Sequence, residues 1–176
     1  RSWQSVYEDL EEYDFELITV ALERNLEDPE SYIRGADPDH PSLVDTRHRV
    51  AELYDVDNVP TGIWIDEERR IVRPNDVVFG RDVFDVATGF HSTDHREALK
   101  AWVRDDDSTH TVDGREAGNR STPSARKLRA RNEYRLAQWL YERGHEDRAA
   151  QWYERASEHA PEDVTIRRGS MRQRGE

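Results

Sequence analysis

The sequence predicts a mixed α/β domain followed by a helical hairpin, on three observations. Short β-branched apolar runs alternate with helix-period segments up to residue 103. Residues 104–124 then hold almost nothing to bury, as expected of a flexible linker. From residue 125 to 163 the helical period returns, interrupted by a glycine where a turn would fall. A chain of 176 residues suits one domain, or one domain with a small helical appendage, and can bury a core without disulfides or a metal.

The elements follow in order. Trp3, Val6, Tyr7 and Leu10 lie at helical spacing with acids opposite. Phe15 to Leu22 is a compact, β-branched apolar run and predicts a buried strand, Glu16–Leu22. Asp28-Pro29 opens a short helix, Asp28 as N-cap and Pro29 at the first position, which Gly35 and Asp37-Pro38 end. Pro41–Asp45 reads as a short strand, and Thr46 as the cap of a helix whose apolar side is Val50, Leu53 and Tyr54. After Val59-Pro60-Thr61 come a strand (Gly62–Ile65), a polar turn (Asp66–Arg69) and a second strand from Arg70. Asn75–Gly80 is a turn-rich link. Phe84–Val103 is an amphipathic helix with Ala98, Leu99, Trp102 and Val103 on its apolar side.

Composition narrows the function classes. The net charge is −12, from 38 acidic against 26 basic residues, and only Lys100 and Lys127 among the latter are lysines. Such a surface repels phosphate, so no nucleic-acid partner is assigned. A salt-adapted, halophilic surface accounts for the acids, with an acidic docking face for a basic partner as the competing account. With no cysteine there is no disulfide, thiolate metal site or thiol redox chemistry in these residues. No apolar run reaches membrane-spanning length and no signal peptide opens the chain, which places it in the cytoplasm by expectation. Residue 1 is arginine and the only methionine is Met171, so a segment ahead of residue 1 is expected.

The catalogue of catalytic motifs is short. His91 and His95 are spaced i,i+4 with Asp94 between them, a metal-binding spacing without a third ligand, so no metal or cofactor is assigned. His40 and His48 read as caps or surface groups, and Glu67-Glu68 and Asp105-Asp106-Asp107 as solvated acids. No phosphate loop or nucleophile elbow is present, and no catalytic residue is assigned.

The order from Trp3, with Val59-Pro60-Thr61 before an antiparallel strand pair and Trp64-Ile65-Asp66 ending the first of those strands, resembles the thioredoxin-like superfamily. Within it, residues 3–103 are similar to the TlpA/ResA-type thiol–disulfide oxidoreductases. The resemblance implies a central sheet flanked by helices and a cis Pro60 facing a Cys-x-x-Cys pair. It also implies a substrate or peptide groove bordered by Val59, Pro60 and Thr61, with Trp3 and Trp64 near the redox helix or core. Here Arg1-Ser2-Trp3 falls about where an arginine follows the second cysteine in that family. The central strand and any Cys-x-x-Cys are thus expected ahead of residue 1. Two readings stand: an oxidoreductase whose cysteines lie upstream, and a redox-silent module that binds a peptide or protein.

Leu136, Ala137, Leu140 and Tyr141, then Gly144, then Ala149, Tyr153 and Ala156, then Pro161, resemble one tetratricopeptide unit of two antiparallel helices. One unit cannot bury both of its faces, so residues 125–163 are expected to pack on the first domain or on a second copy in a homodimer. Trp139 and Trp152 are the residues expected to make that partner contact. Residues 164–176 are too polar and arginine-rich to predict as anything but a tail.

The acidic excess makes a first prediction. Carboxylate repulsion is screened by salt, so the melting temperature should rise as KCl goes from low to molar concentration. A flat or falling trend would favour the docking-face account of the acids.

Overall fold

The structure is a computed structural model that describes residues 2–23, 26–56, 58–77, 92–105, 107–112 and 123–171. The elements are α1 (Ser2–Asp9), β1 (Thr19–Ala21), α2 (Glu27–Ala36), β2 (Ser42–Val44), α3 (Arg49–Leu53), β3 (Thr61–Ile65), β4 (Ile71–Val77), α4 (Ser92–Asp105), a 3-10 turn (Ser108–His110), α5 (Ala125–Tyr141), α6 (Glu146–His159) and α7 (Val164–Met171). The class is mixed α/β, as the sequence predicts. The expected central sheet is not assembled among the described residues: the strands form two separate two-stranded sheets, β1 with β2 and β3 with β4.

The chain divides into two compact units. One comprises Arg1–Val20, Glu30–Leu43 and Pro60–Arg120, the other Ala21–Pro29, Val44–Val59 and Ser121–Glu176. The second differs from the expected division at residues 103 and 124, because two segments from the first part of the chain join the hairpin.

In the first unit the core is Val6 of α1 and Leu10 just after it, Trp64 of β3, and Ala98 and Leu99 of α4, with Trp3, Tyr13, Phe15, Val72, Trp102 and Val103 packed around them. Trp64 stacks on Trp102 at 5.1 Å between centroids. Burying an aromatic of this size contributes roughly 2–3 kcal/mol, and the stack about 1 kcal/mol more. The Arg73 guanidinium lies 4.6 Å over Trp64. That contact follows from register, since Trp64 and Arg73 are cross-strand partners. Asp66 makes the turn as predicted: it accepts from the Arg70 backbone N–H at 2.8 Å and pairs with the Arg70 side chain at 2.7 Å. Lys100 binds Asp9 at 2.7 Å, and Arg104 donates to the Asp9 carbonyl at 2.8 Å, tying α4 to the end of α1.

Four sequence expectations give way to local physics. The strand predicted over Glu16–Leu22 is confined to Thr19–Ala21, and Ile18 is 55% exposed. Its partner begins only at Ser42, because Pro41 has no N–H to extend the ladder. Thr46 does not cap α3. Asp45 does, accepting from the backbone N–H groups of Arg49, Val50 and Ala51 at 2.8, 2.7 and 3.3 Å, while His48 sits at the N-cap position with φ 52°. The 164–176 tail is helical as far as Met171. Its first turn is held by the buried Asp163 carboxylate, which accepts from Thr165 and Ile166 N–H at 3.1 Å each. Of the helix 84–103, the part before Ser92 lies outside the described residues, as do residues 78–80 of the link and 113–122 of the linker.

In the second unit, Gly144 (φ +76°) turns the chain between α5 and α6, as its position predicts. The core is Ala130, Tyr134, Ala137, Leu140, Ala149, Tyr153, Ala156, Ala160 and Ile166. Alanines on facing helices let the backbones approach closely, and the two tyrosines fill the remaining volume edge to face at 5.2 Å. α7 supplies Ile166, and Ser170 donates to the carbonyls of Ile166 and Tyr153. A Cβ on Gly169 would fall 2.0 Å from the Tyr134 hydroxyl oxygen, so only glycine lets α7 lie this close.

Candidate binding surface on the helical hairpin

α5 carries three stripes, and its 3.6-residue period decides which residue falls on each. The first, Ala130, Tyr134, Ala137 and Leu140, is the hairpin core. The second, Lys127, Arg131, Arg135, Gln138 and Glu142, faces the segment Val44–Val59. Lys127 and Arg131 both bind Asp55, the lysine at 3.1 Å. Arg135 binds Glu52 at 2.6 Å, Gln138 donates to the Thr46 carbonyl at 3.4 Å, and Glu142 pairs with Arg47 at 3.3 Å. Tyr134 reaches the buried His48, rings 5.0 Å apart. The second face that one repeat cannot bury alone is therefore covered from within the chain, by Val44–Val59 and by α7.

The third stripe is open. Leu128, Leu136 and Trp139 are 44%, 38% and 48% exposed. Between this stripe and α6 runs an open groove of about 510 Å³, lined by Ala125, Leu128, Arg129, Asn132, Glu133, Leu136, Trp152 and Arg155. Its floor is the carboxylate of Glu133, buried to 5% exposure. Arg129 donates to it at 3.1 Å, Arg155 pairs with it ionically at 3.4 Å, and His159 Nδ1 lies 2.6 Å away. A buried carboxylate needs such partners, and the hydrogen bond sets the direction of the Arg129 guanidinium at the groove wall. Arg155 also stacks over Trp152 at 4.3 Å and Arg143 over Trp139 at 4.0 Å, which covers part of each indole.

The predicted site residues are distributed as follows. Trp152 lines the groove and packs on the hairpin core; Trp139 stands outside it under Arg143. Of the four residues read on the first helix of the tetratricopeptide-like pattern, Ala137 and Leu140 are buried, whereas Leu136 and Tyr141 are 38% and 41% exposed. Val59 is half-buried at the end of one segment of the second unit, whereas the exposed Pro60 and the half-buried Thr61 open a segment of the first. His95 is buried against Trp64 and Trp3, at 5.5 and 6.5 Å between centroids, and His91 lies outside the described residues. His40 and His48, expected as caps or surface groups, are buried; His48 occupies the N-cap position of α3 without a side-chain capping bond, and His40 packs edge-on to Tyr7. No group of three His, Cys, Asp or Glu side chains among the described residues could hold a metal, and no helix among them is long and apolar enough to cross a membrane. Sequence reasoning missed Arg129, Glu133 and Arg155. The available signal was the i,i+4 spacing of Arg129 and Glu133.

Compared with protein-family models, curated proteins and solved structures, the chain gives no significant match to any.

Two titrating groups flank α5. Burial pushes the Asp55 carboxyl up, but the hydrogen bonds and charges of Lys127 and Arg131 more than offset it and hold it below the usual carboxylate range. Burial raises Asp163, against the hydrogen bonds from Thr165 and Ile166. A lowered folded-state value for Asp55 means that its stabilisation is present above the unfolded carboxylate value, about 3.9. That stabilisation is lost as pH falls through the folded value. Asp55→Asn keeps a residue that tolerates the observed φ of 52°. It should cost about 2 kcal/mol at neutral pH, the scale of a hydrogen bond to a charged group. The difference from wild type should shrink toward zero as the pH falls below the carboxylate range, read by urea unfolding at a series of pH values. A cost that persists unchanged in acid would mean that shape, not charge, matters at this position.

Proposed function

We propose that the chain is a protein- or peptide-binding module without thiol chemistry, and that the α5–α6 hairpin supplies the partner surface. The observation that carries this reading is the open stripe of α5: exposed Leu128, Leu136 and Trp139 beside the groove lined by Trp152, on a helix whose other two stripes form the hairpin core and pair with Val44–Val59. Apolar side chains grouped in this way mark interaction sites more often than chance exposure does. Without a sulfhydryl, the residues 1–176 have no nucleophile for disulfide exchange or peroxide reduction.

Selection from a random peptide library on the immobilised chain tests the reading. It should enrich a consensus whose binding falls at least roughly tenfold in Trp139→Ser or Trp152→Ser, the scale of an interface hot spot. The exposed Trp139→Ser should do so with an unchanged melting temperature. Failure to enrich any sequence, or a consensus indifferent to both changes, would remove the hairpin from the function.

A second reading is favoured by the element order. Helix, strand, helix, strand, helix, Pro60, antiparallel strand pair and helix is the order the resemblance to the thioredoxin-like superfamily leads one to expect, although among the described residues the strands form two separate sheets. On this reading the chain is related to thiol–disulfide oxidoreductases but is redox-silent over these residues, and Val59, Pro60 and Thr61 border a peptide groove. It requires a cis Val59–Pro60 bond, which the ¹³C shift difference between Cβ and Cγ of Pro60 reports. A trans signature would remove this groove and leave the hairpin.

A further inference from the structure

We infer that the groove between α5 and α6 docks an acidic segment that carries large apolar side chains, with the acids held by Arg129 and Arg155 and the apolar groups seated on Leu128, Leu136 and Trp152. The inference rests on the binding-module reading and adds the chemistry of the partner.

The argument begins with charge. The chain carries −12 overall, so most of its surface repels an acidic partner. The groove reverses that sign locally, with two arginines and a single carboxylate in its lining. That carboxylate, Glu133, is not available to a ligand: its side chain is 6% exposed and already shared among Arg129, Arg155 and His159. The arginine side chains are 58% and 45% exposed. Each guanidinium has five N–H donors in a planar fork suited to a carboxylate, more than its contact with Glu133 uses. An approaching base therefore meets two cations, and an approaching acid meets two prepared donors. Arg129 is positioned by its hydrogen bond to Glu133, and Arg155 by its stack on Trp152 together with the ion pair to Glu133, which lowers the ordering cost of binding.

The apolar half of the site follows from spacing. Leu128, Asn132 and Leu136 are four residues apart on α5 and form one row along the groove wall. Trp152 and Arg155, three apart on α6, form the other wall, with the indole partly sunk in the hairpin core. The groove is shallow and open to solvent rather than an enclosed cavity. It accommodates side chains of an amphipathic segment laid between two helices. A wholly polar acidic segment would leave the leucines and indole uncovered, and a wholly apolar one would strip water from two guanidiniums without replacement. The two halves together select both features.

The test uses the full chain at a KCl concentration where it is folded, with a fluorescein-labelled synthetic peptide of glutamate, leucine and alanine at helical spacing. Two control peptides replace every glutamate by lysine or every leucine by serine. Fluorescence anisotropy should show the acidic–apolar peptide binding at least roughly tenfold more tightly than either control. Leu136→Ser, at an exposed position, should weaken it by a similar factor with an unchanged melting temperature. Arg129→Gln should weaken the acidic peptide and not the lysine control. Equal binding of all three peptides, no binding below about 1 mM, an unaffected Leu136→Ser variant, or preference for an oligothymidylate strand would each overturn the inference. If library selection yields a basic or neutral consensus that still depends on Trp139 or Trp152, the module reading stands and this inference fails.

Discussion

Three basic side chains on one stripe of α5, Lys127, Arg131 and Arg135, meet two carboxylates on the segment Val44–Val59, Asp55 and Glu52. The second unit depends on this match. A pair of helices has one side to spare after packing on each other, and α5 is too polar there to be covered by apolar residues. The solution is ionic, and partly buried ion pairs require good geometry and supporting hydrogen bonds to be favourable. Both are present: Asp55 takes two cations, Gln138 and Glu142 continue the row, and the Asp45 carboxylate fixes the start of α3 so that Glu52 is presented correctly. Lys127 and Lys100 are the only lysines in the sequence, and each binds a carboxylate with 15% and 21% of its side chain exposed. In this chain lysine is reserved for partly buried pairs, and the exposed cations are arginines.

How much of this was legible depended on whether a signal was local. Gly144 and the alanine–tyrosine spacing of α5 and α6 are set by the helical period, so the hairpin could be read directly. The strand pair was equally plain, because Asp66 and Arg70 carry a turn within five residues. The cap of α3 was misplaced by one residue because two candidate oxygens were adjacent, and only the structure shows that Asp45 reaches three N–H groups. α7 was invisible for a different reason. Its burial is achieved with Ile166, Ser170 and a close-approach glycine beneath a tyrosine, not with an apolar stripe, so hydrophobic periodicity had little to detect.

The candidate site was legible in half. Trp139 and Trp152 stood out because exposed indoles are rare in so polar a chain, but the sequence assigned both to covering the hairpin's spare face. That face is taken by Val44–Val59, a pairing over 76 to 95 residues of sequence that no local pattern encodes. The tryptophans are thereby left for another purpose, and the arginines stacked on them become part of the surface. Cation–π stacking also gives an acidic chain a way to display an indole without displaying bare carbon.

The central claim is that Val44–Val59 is an integral layer of the helical unit. Native-state hydrogen exchange read by mass spectrometry tests it directly, because amides that belong to one cooperative unit open with one free energy. Amides of Arg49–Val56 should share the opening free energy and denaturant dependence of those in α5 and α6. If they exchange as a separate, weaker unit while α5 and α6 stay protected, the ionic layer is peripheral and the account of the second unit is wrong.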